Sequence, residues 1–131
     1  MIKLLRFTLL LASLSGLSLP AAAQEDLSQH WNGGWSADGT LFQIAVSVEG
    51  DVMRVQQVES LGFVWTSEDA KVDGNIVQVK VEYAGVTGII QAELVDPDTA
   101  IVFAATCVPE FMVVCALAKG RQALFKRVPA N

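Results

Sequence analysis

From Thr40 onward the chain alternates. Phe42, Ile44, Val46 and Val48 take every second position, with Leu41, Gln43, Ala45 and Ser47 between them, until Glu49-Gly50-Asp51 ends the run. Val77, Val79, Val81 and Tyr83 alternate more strictly with Gln78, Lys80 and Glu82. A period of two marks a pleated strand with one face on a core and the other in water. The breaks agree: Asp73-Gly74-Asn75, Ala84-Gly85, Asp96-Pro97-Asp98 and Lys119-Gly120 are turn chemistry, because Gly and Asn accept positive φ and Pro presets a turn. Between such breaks the runs fall at 40–48, 52–58, 62–66, 69–73, 76–84, 86–95, 99–107, 111–118 and 121–128, with 69–73 the least regular. Connections this short leave no room for crossover helices, so the strands form an antiparallel meander. The expected fold is all-β, a single-domain antiparallel up-and-down β-barrel of about eight strands, with a two-sheet β-sandwich as the alternative. Closure favours the barrel, since it removes the unpaired edges of an open sheet.

The first residues follow a different pattern. Lys3 and Arg6 precede an apolar run from Phe7 through Leu19, and Pro20 leads into Ala21-Ala22-Ala23. A basic start, a short apolar stretch and an A-x-A site describe a secretory signal peptide, with cleavage between Ala23 and Gln24. A bilayer span needs about 20 apolar residues, so stable membrane insertion is not expected. The mature domain is then 24–131. Losing Lys3 and Arg6 takes the formal charge from −5 to −7. Such an acidic surface lacks the basic footprint that binding to nucleic acid or to an anionic lipid surface needs. Localisation in the periplasm or the extracellular medium follows from the leader.

Cys107 and Cys115 are the two cysteines. An even count in a small exported domain favours a disulfide. The seven-residue spacing is not that of a C-x-x-C redox couple, and no histidine stands near to complete a zinc site. Parity places Ile101, Phe103, Ala105 and Cys107 on one face of a strand, and Phe111, Val113, Cys115 and Leu117 on one face of the next, each the bulkier face and so the expected core side. A tight turn at Pro109-Glu110 would set Cys107 opposite Met112. A disulfide, whose Cβ atoms must approach to about 3.5–4.5 Å, therefore requires a wider connection or a bulge. Closing this small ring stabilises the fold by roughly 2.5 kcal/mol on the chain-entropy estimate. An apolar loop is unusual on a surface. Residues 111–118 are either an ordinary strand covered on both faces, or a loop folded back as a barrel lid or exposed as a contact patch, with Phe111, Met112 and Val114 the candidate partner-binding residues.

No catalytic residues, metal site or cofactor are expected. His30 is the single histidine and lies in a polar lead-in, and general-base catalysis would need a reacting group within hydrogen-bond reach. Nucleophile-elbow, P-loop, zinc-protease and EF-hand motifs are missing. Glu68-Asp69 and Asp96-Pro97-Asp98 lack calcium-loop spacing, and Glu82 and Glu93 are expected to face solvent.

The stretch "HWNGGWSADGT" carries a resemblance. Gly33-Gly34-Trp35 resembles the short G-x-W motif with which calycin-type barrels, the lipocalins and their relatives, begin their first strand. The resemblance implies that Trp35 closes one barrel end with a basic residue of the last strand over its ring. Lys126 and Arg127 stand in the last run and Arg121 opens it, with Arg127 taken as the packing partner. The chain is shorter than a typical lipocalin and nearer in size to small bacterial periplasmic barrels.

The leading functional expectation is a non-catalytic binding protein with a macromolecular partner, inhibitor-like or an interaction module. The alternative is a carrier of a small apolar ligand inside the barrel. The two differ inside. A partner-binding barrel is filled, and the large aromatics Trp31, Trp35, Phe63, Trp65, Tyr83, Phe103, Phe111 and Phe125 argue for filling, whereas a carrier needs a cavity of a few hundred Å³.

Overall fold

In the computed structural model, which describes Gly16 and residues 27–129, a short 3-10 helix (Leu27–Trp31) leads into nine strands: β1 (Gly33–Ala37), β2 (Gln43–Glu49), β3 (Val52–Glu59), β4 (Trp65–Ser67), β5 (Ala70–Asp73), β6 (Ile76–Tyr83), β7 (Val86–Asp96), β8 (Thr99–Val108) and β9 (Gln122–Arg127). Eight of them, β1, β2, β3, β5, β6, β7, β8 and β9, pair in sequence order, and β9 returns to β1, with Trp35 opposite Arg127. The sheet is thus a closed antiparallel up-and-down barrel forming a single domain. β4 is an extra strand that continues the line of β5 along β6. Apart from Gly16, the leader and the expected cut between Ala23 and Gln24 lie outside the described residues.

The barrel faces follow the alternation. Val46 and Val48 of β2, Met53 of β3, Val72 of β5, and Val77 and Val79 of β6 are buried, while Ser47, Arg54, Lys71, Gln78 and Lys80 between them are exposed. An apolar inside and a polar outside is the reverse of a transmembrane barrel. Among the described residues no helix is long and apolar enough to cross a membrane.

One element departs from expectation. Residues 111–118 do not form a strand: α1 (Val113–Ala118) is a helix. "FMVVCALA" has no period of two, and Ala116, Leu117 and Ala118 are good helix formers. The Cys107–Cys115 disulfide also holds Cys115 within 5.4 Å, Cα to Cα, of Cys107 at the end of β8. β1 begins at Gly33, as the resemblance to G-x-W implies, although Gly33-Gly34-Trp35-Ser36-Ala37 shows no alternation; it pairs with both β2 and β9.

The expected core face of β8 is also reversed. Ala100 and Val102 face the interior, opposite Leu94 and Ala92, and the bulkier Ile101 and Phe103 face outward opposite Glu93 and Gln91. Beyond them Ala105 is left without a partner, since Ala104 pairs with Ile90 and Thr106 with Ile89. This bulge shifts the side-chain parity by one. Cys107, opposite Gly88, thereby rejoins the face of Ala100, Val102 and Ala104.

Candidate ligand-binding site

The alternating strand directions put the connections at two opposite ends. One end holds the 3-10 helix and the turns at 49–52, 73–76 and 96–99. It is plugged by Trp31 and Trp35, 3% and 2% exposed, with ring centroids 6.1 Å apart. Both indole N–H groups are satisfied: Trp35 Nε1 donates to the Trp31 carbonyl at 2.9 Å and Trp31 Nε1 to the Gly74 carbonyl at 3.1 Å. Asn32 Oδ1 accepts from the Val48 N–H at 2.6 Å, tying the end of the 3-10 helix to β2.

Arg127 locks this end. Its guanidinium lies 4.6 Å from the centre of the Trp35 ring. Nε donates to Asp98 Oδ1 at 3.0 Å, Nη1 to the Asn32 carbonyl, and Nη2 to the carbonyls of His30 and Pro97. Gly33 makes room for this fork: its φ is +125°, and a Cβ there would stand 2.8 Å from Arg127 Nη1.

Above the plug the interior is hollow. A cavity of about 360 Å³ is walled by Val46, Met53, Val55, Val77, Val79, Val81, Ile90, Ala92, Ala100 and Val102, and no polar atom is exposed on its surface. The sequence left filled and hollow interiors both open, and the cavity has a physical reason. The large side chains gather at the ends and leave aliphatic residues and two alanines around the middle. Trp31 and Trp35 form the floor, while Phe42 packs near Trp65 at 6.3 Å and Phe125 at 6.1 Å, and Phe63 meets Tyr83 edge-on at 5.6 Å. Phe103 and Phe111 do not line the cavity.

The wall has one discontinuity. β3 pairs with β5 at Val52 and Met53, and beyond that point it carries no backbone ladder to β4. Side chains bridge the seam. Gln57 Nε2 donates to the Trp65 carbonyl at 2.6 Å, Trp65 Nε1 donates to Ser60 Oγ at 3.1 Å, and Arg54 pairs with Asp69 at 3.3 Å. The hydrogen bond to Asp69, and then its charge, raise the Arg54 pKa above its ordinary value.

The open end is apolar on its outside as well. Phe111 is 84% exposed, Val64 83%, Leu41 78% and Val113 71%, and Leu117, Phe63 and Leu61 are also exposed. Of the three residues expected to contact a partner, Phe111 projects fully, while Met112 and Val114 are half-buried. The helix instead turns Val113 and Leu117 outward, four positions apart on one face, and buries Cys115 against the barrel. Sequence reasoning missed that pair because it assigned the segment to a strand.

Comparison with protein-family models, with curated proteins and with solved structures finds no match to this chain.

Proposed function

We propose that this protein is an exported, non-catalytic carrier that holds a small apolar ligand inside its barrel. The observation that carries the reading is the cavity of about 360 Å³ with no exposed polar atom, plugged at one end and open at the other. That volume lies at the small end of the range for small-molecule sites, about 300–1,000 Å³. An unfilled apolar void is costly. At about 24 cal/mol per Å³, a sealed cavity of this size would forfeit up to about 9 kcal/mol, comparable to the whole stability of a domain, about 5–15 kcal/mol. Water at the mouth lowers that cost, and an apolar occupant removes most of it. The hollow interior favours the carrier over a filled, partner-binding barrel.

The Cys107–Cys115 disulfide supports an oxidising compartment, the periplasm or the medium, in keeping with the leader-like N-terminus. The closed barrel, Gly33-Gly34-Trp35 at the start of β1 and Arg127 over Trp35 support a calycin-like relationship.

Titration with the neutral fluorophore N-phenyl-1-naphthylamine tests the carrier reading. Saturable, blue-shifted binding is expected, and it should be lost when Ala92→Phe and Ala100→Phe fill the cavity. Absence of saturable binding, or binding undiminished in the filled variant, would remove the proposal.

A further inference from the structure

We infer that the open end docks on the surface of a phospholipid bilayer, from which the cavity takes its ligand; this rests on the carrier reading above. The first observation is an inverted helix. α1 is pinned by Cys115 to the end of β8, and its solvent side carries Val113 and Leu117 beside Phe111, all strongly exposed. Val64, Phe63, Leu61 and Leu41 extend the apolar surface across the neighbouring connections at the same end. An apolar rim of this kind on a water-facing barrel marks an interaction surface. Phe63 also lines the cavity mouth, so rim and interior are one continuous apolar path.

Charge selects the occupant. The segment joining β8 to β9 holds Glu110, Lys119 and Arg121, and among the described connections between strands it is the only one whose formal charges sum positive. Lys119 and Arg121 make no ion pair among the described residues. Cations flanking an exposed apolar helix face suit a phospholipid interface: the apolar side chains enter the acyl boundary while the long basic chains reach phosphates. Asp38 and Glu59 also lie at this end, but five acids, Glu49, Asp51, Asp73, Asp96 and Asp98, stand in the turns of the closed end, directed away from the surface. With Glu110, Asp38 and Glu59 set against Lys119 and Arg121, the mouth is less acidic than the closed end rather than basic, and an acidic body approaches a bilayer mouth-first with these two cations beside α1.

The test is vesicle flotation of the protein as purified from a secreting host, its N-terminus determined. Vesicles of phosphatidylcholine are compared with vesicles containing added phosphatidylglycerol. Wild type should co-float with both, and more with the anionic set at low salt. F111S–L117S, both positions exposed, should lower partition at least about tenfold on both vesicle types. K119Q–R121Q should abolish the gain from phosphatidylglycerol and leave the phosphatidylcholine level unchanged. No partition of wild type, or equal partition of F111S–L117S, would overturn docking. So would a dimer in sedimentation velocity that F111S–L117S dissolves in the absence of any vesicle binding, because the patch would then serve a second copy. N-phenyl-1-naphthylamine binding, measured without vesicles, is the separate arm. Its absence in wild type sinks the carrier reading, while its retention within about twofold in F111S–L117S shows that a loss of flotation concerns the rim alone.

Discussion

Arg127 and Trp35 are Cα partners across the β1–β9 pairing, and the guanidinium of the first lies 4.6 Å from the ring centre of the second. The pair joins the first strand of the barrel to the last. The same arginine reaches the carbonyls of His30, Asn32 and Pro97 and the carboxylate of Asp98, so one side chain gathers the 3-10 helix, the β7–β8 turn and the closing strand. Ring closure, made by the β1–β9 backbone ladder, and the floor of the cavity therefore share one residue.

Replacing Arg127 by Ala is expected to lower unfolding free energy by about 2–3 kcal/mol, from the lost cation–π contact and charged hydrogen bonds. Lys at the same position should recover less than half, since one ammonium cannot reproduce the planar fork. Urea denaturation of the three proteins is the measurement. An unchanged midpoint for Arg127→Ala would show that closure does not rely on it.

Gly33→Ala should be destabilising by about 1–3 kcal/mol, because the backbone φ of +125° is strained for any L side chain and the new Cβ meets Arg127. Its damage should largely disappear in an Arg127→Ala background if the clash dominates, and persist if the backbone does. A double-mutant cycle on thermal midpoints separates the two.

Reducing the Cys107–Cys115 bond, or replacing both cysteines by Ser, is expected to cost roughly 2.5 kcal/mol, or about 10–20 °C in midpoint for a domain of this size. The strands do not depend on it, so the far-ultraviolet β signal should survive below the new midpoint. Loss of that signal at low temperature would mean that the late hairpin organises the barrel.

Binding of a neutral apolar probe should be flat from pH 5 to 8, because no carboxylate, imidazole or amine lines the cavity. Sulfate should tighten it, as for any apolar burial. A titration curve in the affinity would place an ionisable group in the ligand's path.

Gln57→Ala removes the hydrogen bond to the Trp65 carbonyl across the seam where β3 and β4 lack a ladder. The bond is exposed, so stability should fall by no more than about 1 kcal/mol. If the seam breathes, probe dissociation in stopped flow should quicken severalfold. An unchanged rate would assign exchange to the mouth alone.

The barrel was readable because alternation is local. Val77, Val79 and Val81 announce their face whatever else the chain does, and Asp73-Gly74-Asn75 and Ala84-Gly85 announce the turns, so strand count and meander order follow. β1 was legible only through its resemblance to G-x-W, since two glycines carry no pattern. α1 was misread because an unbroken apolar run suits helix and covered strand alike.

Residue order along the chain determined the class of fold, the up-and-down path, the acidic surface and the cysteine pair. Three features belong to the tertiary structure alone: the hollow interior, the outward bulky face of β8 and the exposed face of α1. The reason is that each depends on residues far apart in sequence. A cavity is the volume left after eight strands have each contributed side chains, and Ala92 and Ala100 leave space only because the tryptophans stay at the floor. Parity past Ala105 depends on a bulge of β8 against β7, and α1 turns Val113 and Leu117 to water while Cys115 bonds to Cys107.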